Sequence, residues 1–546
     1  MKQELSINHA LTLLNSNKEE QGKEIIKQIL KVDPRDINAH QIMVKLGFKN
    51  KDHVLAEHHL LALRALQPSS NHYLQPLIEL YSFQKRWGDL SALYLDLAQQ
   101  QPSNATHQFN CGYYLKLSGK FEQAIKYYNQ ALAIGISDAY EVYLNIAIIY
   151  SEHLSEPEKA VQLLSHGIEK YPEQDSLKYN LANVYEQLGN KELAFSMFQS
   201  AYSQNPLNVD ALARQADIYK TSTKDDELIA AMESCFKSTQ VDILNKTNVA
   251  YALGKAYDDC HEYQLAAKYY QKANELDQTG LPLYEPLKYE QYIDDIINTF
   301  NVNWFKELDA TQDQATIQSP IFICGMFRSG STLCEQILAS HSDISAGGEQ
   351  EFFHRAIINH FPDFPANIMD KFDHDKKQLL SDYIKEIGKF KTENNLLTDK
   401  RPDNFLYLGL IKSLMPNAKI VWTKRFIFDN CLSVFFLRLG ASMPYSTKIE
   451  NILHFYRQQE RLMNHWITLF GDDIFIFDYD ELINDPETNI SQLLSFVDLP
   501  WQDNCLHFHQ VKNQVKTASV WQVRQPLYKA SSGRWKNYQQ YFSFDD

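Results

Sequence analysis

The chain has 546 residues, 44% of them hydrophobic and 22% charged, with a formal net charge of −15. That length exceeds what one hydrophobic core usually holds, and the composition excludes a disordered or low-complexity protein. The charge is uneven: residues 319–546 carry 24 basic and 27 acidic side chains, a net of −3, which leaves −12 on residues 1–318 and speaks against nucleic-acid binding. Seven scattered cysteines, none in a CxxC pair, argue against a disulfide framework or a structural zinc site and for a reducing compartment. The start Met1-Lys-Gln-Glu-Leu has no apolar leader, and no apolar run approaches the roughly 18–20 residues of a membrane span. The expected location is the cytoplasm.

From the N-terminus the sequence repeats itself. Pro34, Pro68 and Pro102 lie 34 residues apart, as do Pro172 and Pro206. A small residue sits twelve positions before several of them: Ala56, Ala160 and Ala194. Units without the proline keep the remaining pattern, Gly112, Gly119, Ala124 and Ala131 in one, and Gly254, Ala266 and Ala273 in another. Small residues let two helix backbones cross closely, and proline ends the second helix. The pattern resembles the tetratricopeptide repeat family, with about eight units over residues 3–280 and a distorted one near 209–240. The resemblance implies an α-solenoid whose concave face takes a peptide or protein partner; a scaffold that binds nothing is the alternative.

Residues 281–318, with Gly280-Leu-Pro-Leu-Tyr-Glu-Pro286 and a polar run from 311, read as a linker to a second domain over 319–546. There Pro320-Ile-Phe-Ile-Cys324 is a short apolar run like a buried parallel strand, followed by Gly325-Met-Phe-Arg-Ser-Gly-Ser-Thr332 and an amphipathic helical segment, Leu333–Leu338. Strand, glycine-rich turn and helix start form a cradle in which successive N–H groups and the helix dipole face one phosphate. The spacing of Gly325 and Gly330 is that of the nucleotide P-loop, but Ser331 stands where a nucleoside triphosphatase has its lysine, and Arg328 supplies the positive charge instead. Further short apolar runs at 419–423 and 474–477 alternate with helical segments, as in a parallel sheet covered on both faces.

These residues resemble the sulfotransferase superfamily, which uses 3′-phosphoadenosine-5′-phosphosulfate, and within it bacterial tetratricopeptide-linked enzymes of the tyrosylprotein sulfotransferase type. The family loop G-x-P-R-S-G-T-T-L is matched by Gly325–Leu333, with Phe327 for proline and Ser331 for threonine. The resemblance implies that Arg328, Ser329, Gly330, Ser331 and Thr332 bind the donor's phosphosulfate. Ala346-Gly-Gly-Glu-Gln350 matches the segment that carries a general base, here Glu349, and Asp399-Lys-Arg-Pro-Asp-Asn404 the segment whose lysine, Lys400, faces the sulfuryl group. Arg425 and Ser433 match the 3′-phosphate site, although the usual R-D-P is Arg425-Phe-Ile here; Tyr479 matches a tyrosine that lies against the cofactor. The segments Thr517–Tyr528 and Ser532–Trp535 match the closing cofactor-binding region, which assigns Ser519 to transition-state contact and Arg524, Tyr528 and Arg534 to the cofactor or its entrance loop.

The implied whole is a tetratricopeptide α-solenoid joined to a P-loop-like α/β sulfotransferase domain with a central parallel sheet. It transfers sulfuryl to an acceptor hydroxyl, with a peptide tyrosine or a carbohydrate or small molecule as acceptor, and needs no metal. Each assignment has a structural alternative. Glu335 and Glu351 rival Glu349; Lys400 and Arg401 form a solvated pair; Arg425 pairs with Asp429; Ser433 is a core hydroxyl. His507 and His509 read as structural, lacking a third ligand nearby. A P-loop kinase or triphosphatase, and a repeat protein with an inactive catalytic domain, are the competing functions.

Overall fold

A computed structural model describes residues 6–16, 18–68, 72–309, 319–390, 396–511, 515, 517 and 519–544. The chain divides into two compact units, Met1–Gly167 and Ile168–Asp546. Among the described residues, sixteen α-helices from Ile7 to Gln278 succeed one another as helix–turn–helix pairs.

In the first unit the pairs bury separate apolar clusters, one around Ile26 and Met43 and a larger one that includes Leu60, Leu77, Leu90, Leu115 and Tyr128. The small-residue positions are explained by distance: a Cβ on Gly112 would come within 2.9 Å of the Tyr128 ring. Side chains close several helix starts, as where Asp52 accepts the Leu55 N–H at 3.0 Å.

The second unit begins with the remaining repeats. The pair Val209–Ile218 and Glu227–Lys237 has helices of only 10 and 11 residues, which is the distorted unit. The stretch read as a linker differs from that expectation. It carries helices Pro286–Thr299 and Val302–Asp309, whose Ile293 and Ile296 are fully buried together with Phe300 between the helices. Trp304 Nε1 donates to Ser413 Oγ at 2.7 Å, so residues 286–309 are part of the C-terminal domain's core. The polar run at 311–318 lies outside the described residues.

Five parallel strands make the sheet: β1 (Ile321–Gly325), β2 (Ile344–Ser345), β3 (Leu396–Lys400), β4 (Ile420–Lys424) and β5 (Ile474–Asp478), in the order β2-β3-β1-β4-β5. Central β1 is buried along its whole length, Ile323 lying opposite both Lys400 and Val421. The chain leaves β1 towards β2 and β3 and then crosses to β4 on the other side. The carboxyl ends of β1 and β4 therefore flank the crevice where ligands of open α/β sheets bind.

Candidate active site

Every strand leads, at or just beyond its carboxyl end, to a residue singled out in the sequence. Gly325 closes β1 with φ 148°, and a Cβ there would stand 2.4 Å from the Thr423 carbonyl, so only glycine lets β1 and β4 approach this closely. The following loop places Arg328 (φ 67°) and Gly330 (φ 105°) in left-handed conformations, which turns successive N–H groups inward. Gly330 then stands at the N-cap of helix Ser331–Ala339 and offers no side chain to the first-turn N–H groups. Ser329 locks the loop by donating to the Met326 carbonyl at 2.6 Å and pairing with the Thr423 hydroxyl at 2.7 Å.

Arg328, Gly330, Ser331, Thr332, Glu349, Arg425, Ser433, Tyr479, Ser519, Tyr528 and Arg534, all singled out in the sequence, line one cavity of about 280 Å³. Three of the expected set do not line it. Ser329 lies beneath the loop, and Lys400 is fully buried behind Glu349, to whose Oε1 it donates at 2.5 Å. Arg524 donates instead to the Gln187 carbonyl at 2.8 Å, lying so close to Gly189 that any Cβ there would collide with it.

The electrostatics are those of an anion site. Arg328 donates to Ser433 Oγ at 3.2 Å and to Ser519 Oγ. Arg425 donates to the Ser531 carbonyl at 2.5 Å and to the Arg328 carbonyl at 3.5 Å, and its guanidinium lies 5.1 Å above the Tyr479 ring. Among the described residues both arginines bond only to hydroxyls and carbonyls, and Arg425 Nε has no partner at all. Asp429, the rival partner for Arg425, accepts the Gly533 and Trp535 N–H groups instead, at 2.6 and 2.8 Å. Burial, then the neighbouring Arg425, push the Arg328 guanidinium down to about 10, and burial lowers Arg425 as well. Two guanidinium groups that face the cavity and bond to no carboxylate are relieved by an anion.

The carboxylates divide by partner. Glu335 is buried, accepts the Gly348 N–H at 3.0 Å and the Thr398 hydroxyl at 2.7 Å, and is raised by burial. Glu351 is exposed and lies 3.5 Å from Arg401. Glu349 alone of the three lines the cavity. Phe327 and Pro402, from the two matched motifs, add apolar lining, and Leu439 adds more that no motif signalled. His507 and His509 have ring centroids 6.3 Å apart, and among the described residues no group of three or more His, Cys, Asp or Glu could hold a metal ion. No helix among those residues is long and apolar enough to cross a membrane.

Comparison with known proteins follows the same division. A sulfotransferase family model matches residues 320–503, and a tetratricopeptide repeat model matches 108–134, 176–206 and 247–279. The C-terminal domain, with its central parallel sheet, is sulfotransferase-like. An uncharacterized protein of Aquifex aeolicus (strain VF5) is 30% identical over 420 residues, 74% of this chain and 54% of that protein. A protein-tyrosine sulfotransferase of Drosophila melanogaster is 24% identical over 216 residues, 36% of this chain and 41% of that protein. The chain thus spans about half the length, or less, of these two relatives. A solved sulfotransferase domain from the Synechococcus PCC 7002 olefin synthase is 18% identical, with a TM-score of 0.30, over 41% of this chain and 91% of that one. Within the sulfotransferase domain, β1, its loop, β3 and β4 lie inside the matched range, whereas Ser519, Tyr528 and Arg534 come from beyond it.

Proposed function

We propose that the chain transfers a sulfuryl group from 3′-phosphoadenosine-5′-phosphosulfate to an acceptor hydroxyl. The observation that carries this reading is the pair Arg328, half-buried, and Arg425, buried, mutually adjacent and without a carboxylate among their hydrogen-bond partners. When bound, the nucleotide supplies a transferable SO3 group on one phosphate and a second, separate phosphate. The residues present suit both ends: the uncapped N–H groups of the Ser331–Ala339 helix and Arg328 for the phosphosulfate, and Arg425 with Ser433 for the 3′-phosphate. Donors held rigidly where negative charge builds up stabilise it without reorganising.

Glu349 supplies the base. Its Oε1 is held by Lys400, which leaves Oε2 to take the proton of an acceptor hydroxyl, a need that is greatest for a phenol with a pKa near 10. Lys400 meanwhile places a positive charge beside the reacting group. The likeness to a protein-tyrosine sulfotransferase supports a peptide tyrosine as acceptor, and the repeats support a peptide or protein partner.

Calorimetric titration with 3′-phosphoadenosine-5′-phosphate, and in parallel with ATP and magnesium, tests the donor. The expected result is micromolar binding of the former, lost in Arg425→Ala. Binding of ATP alone overturns the proposal in favour of a kinase or triphosphatase.

A further inference from the structure

We propose that Asp258 and Glu186, two carboxylates on repeat helices, are positioning residues of the donor site in the sulfotransferase domain; the inference rests on the donor reading above. Ser519, Tyr528 and Arg534, all lining the cavity, belong to residues 519–538. That segment contains neither strand nor α-helix, only the short 3-10 turns Lys529–Ser531 and Arg534–Asn537. A segment with so few internal backbone bonds keeps one shape only through bonds to its surroundings.

Some of those anchors come from the sulfotransferase domain itself. Asp429 accepts two backbone N–H groups, and Asp480 accepts the Ser532 hydroxyl at 2.6 Å. The others come from the repeats. Helix Asp175–Gln187 holds the beginning of the segment: Trp521 Nε1 donates to Glu186 at 2.7 Å, and Arg524 donates to the Gln187 carbonyl. Helix Ile243–Asp259 holds the end, where Arg534 donates to one oxygen of Asp258 and Tyr538 to the other.

Asp258 does more than tie down chain. Arg534 lies over the Phe436 ring at 5.1 Å, and burial works against its charge, but Asp258 together with Tyr270 and Tyr538 offsets this and the guanidinium is held above its ordinary value. Asp258 bonds one of the five N–H donors of the guanidinium, and so fixes the cation at the cavity wall with donors left for an anion. Glu186 is itself buried and also pairs with Arg214, so the Trp521 indole is fixed against a rigid point.

The test uses the full chain and calorimetry with 3′-phosphoadenosine-5′-phosphate, with hydrogen exchange of residues 519–538 as a second readout that needs no nucleotide. Asp258→Asn weakens binding about ten-fold, and adding it to Arg534→Ala costs nothing further, because Asp258 acts through Arg534. Exchange in 519–538 quickens in Asp258→Asn and in Glu186→Ala, while Glu186→Gln, which keeps an acceptor for Trp521, stays near wild type. Losses that multiply in the double variant, or wild-type binding and exchange in both Asp258→Asn and Glu186→Ala, overturn the inference while the donor reading stands. Wild-type protein that fails to bind the nucleotide overturns the donor reading, and this inference with it. Should Asp258→Asn fail to fold, the contrast between Glu186→Ala and Glu186→Gln decides alone.

Discussion

Glu349 combines a salt bridge with the proposed role of base, and its surroundings allow both. Lys400, fully buried, fixes one carboxylate oxygen, while the side chain remains 42% exposed and faces the cavity. Glu335 fixes the loop behind it through the Gly348 N–H. Exchanging Glu349 for Gln keeps the shape and removes the base, so turnover should fall roughly 10²–10⁴-fold with affinity for 3′-phosphoadenosine-5′-phosphate unchanged, as steady-state kinetics and calorimetry would report. Undiminished turnover removes Glu349 from the mechanism. The charged residues at strand ends were legible because strand, turn and charge recur in fixed order. The choice of Glu349 over Glu335 and Glu351 came from the resemblance and not from the residues themselves, since a side chain's partners decide it. Glu335 did leave a trace, a carboxylate within the otherwise apolar Leu333–Leu338. Arg524 left none: its segment has no periodicity to say which way it turns, and its partner lies 337 residues away.

At the scale of the element, β3 shows why a strand can escape a hydrophobic pattern. Leu396-Leu-Thr-Asp-Lys400 ends in three polar residues, yet it lies between β2 and β1 with Thr398, Asp399 and Lys400 all fully buried. Each is satisfied sideways: Thr398 donates to Glu335, Lys400 to Glu349, and Asp399 accepts from Tyr383 at 2.8 Å and from Asn404 at 3.0 Å. β1, β4 and β5 were legible as apolar runs because their burial falls on hydrophobic residues. Burial pushes Asp399 from its ordinary 3.8 up to about 7, against the pull of its two hydrogen bonds. The folded state therefore holds a proton that the unfolded chain releases at lower pH. Between about pH 4 and pH 7 the folded state binds more protons, so stability falls as pH rises, by up to about 4 kcal/mol, and is level above that range. Asp399→Asn removes this component. Urea unfolding between pH 4.5 and 8 should show a steeper decline in the wild type than in the variant, and equal slopes would refute the assignment.

The 34-residue period reads alike along the whole array, so it does not say where the repeats stop standing alone. The packing does. One apolar cluster runs from Val209 through the sulfotransferase domain to Phe542, while the cluster around Leu77 stays within Met1–Gly167. In the last repeat Tyr270 stacks on Phe436 with centroids 3.8 Å apart, and Asn274 donates to the Phe435 carbonyl at 2.8 Å. Gly254 makes room for that tyrosine, since a Cβ there would come within 2.7 Å of its ring. A small residue facing an aromatic one is the same local rule as in the first unit; what differs is that the far face of Tyr270 meets the C-terminal domain. Truncating a buried side chain should therefore have different consequences in the two units. Leu77→Ala should cost about 2–5 kcal/mol in the first unit, and Tyr270→Ala a similar amount in the second. Only the second should weaken binding of 3′-phosphoadenosine-5′-phosphate, because Phe436 also carries Arg534. Denaturant unfolding followed by tryptophan fluorescence, paired with calorimetry on the folded variants, separates the two. Equal effects on affinity would mean that the donor site depends on the first unit as much as on the last repeat.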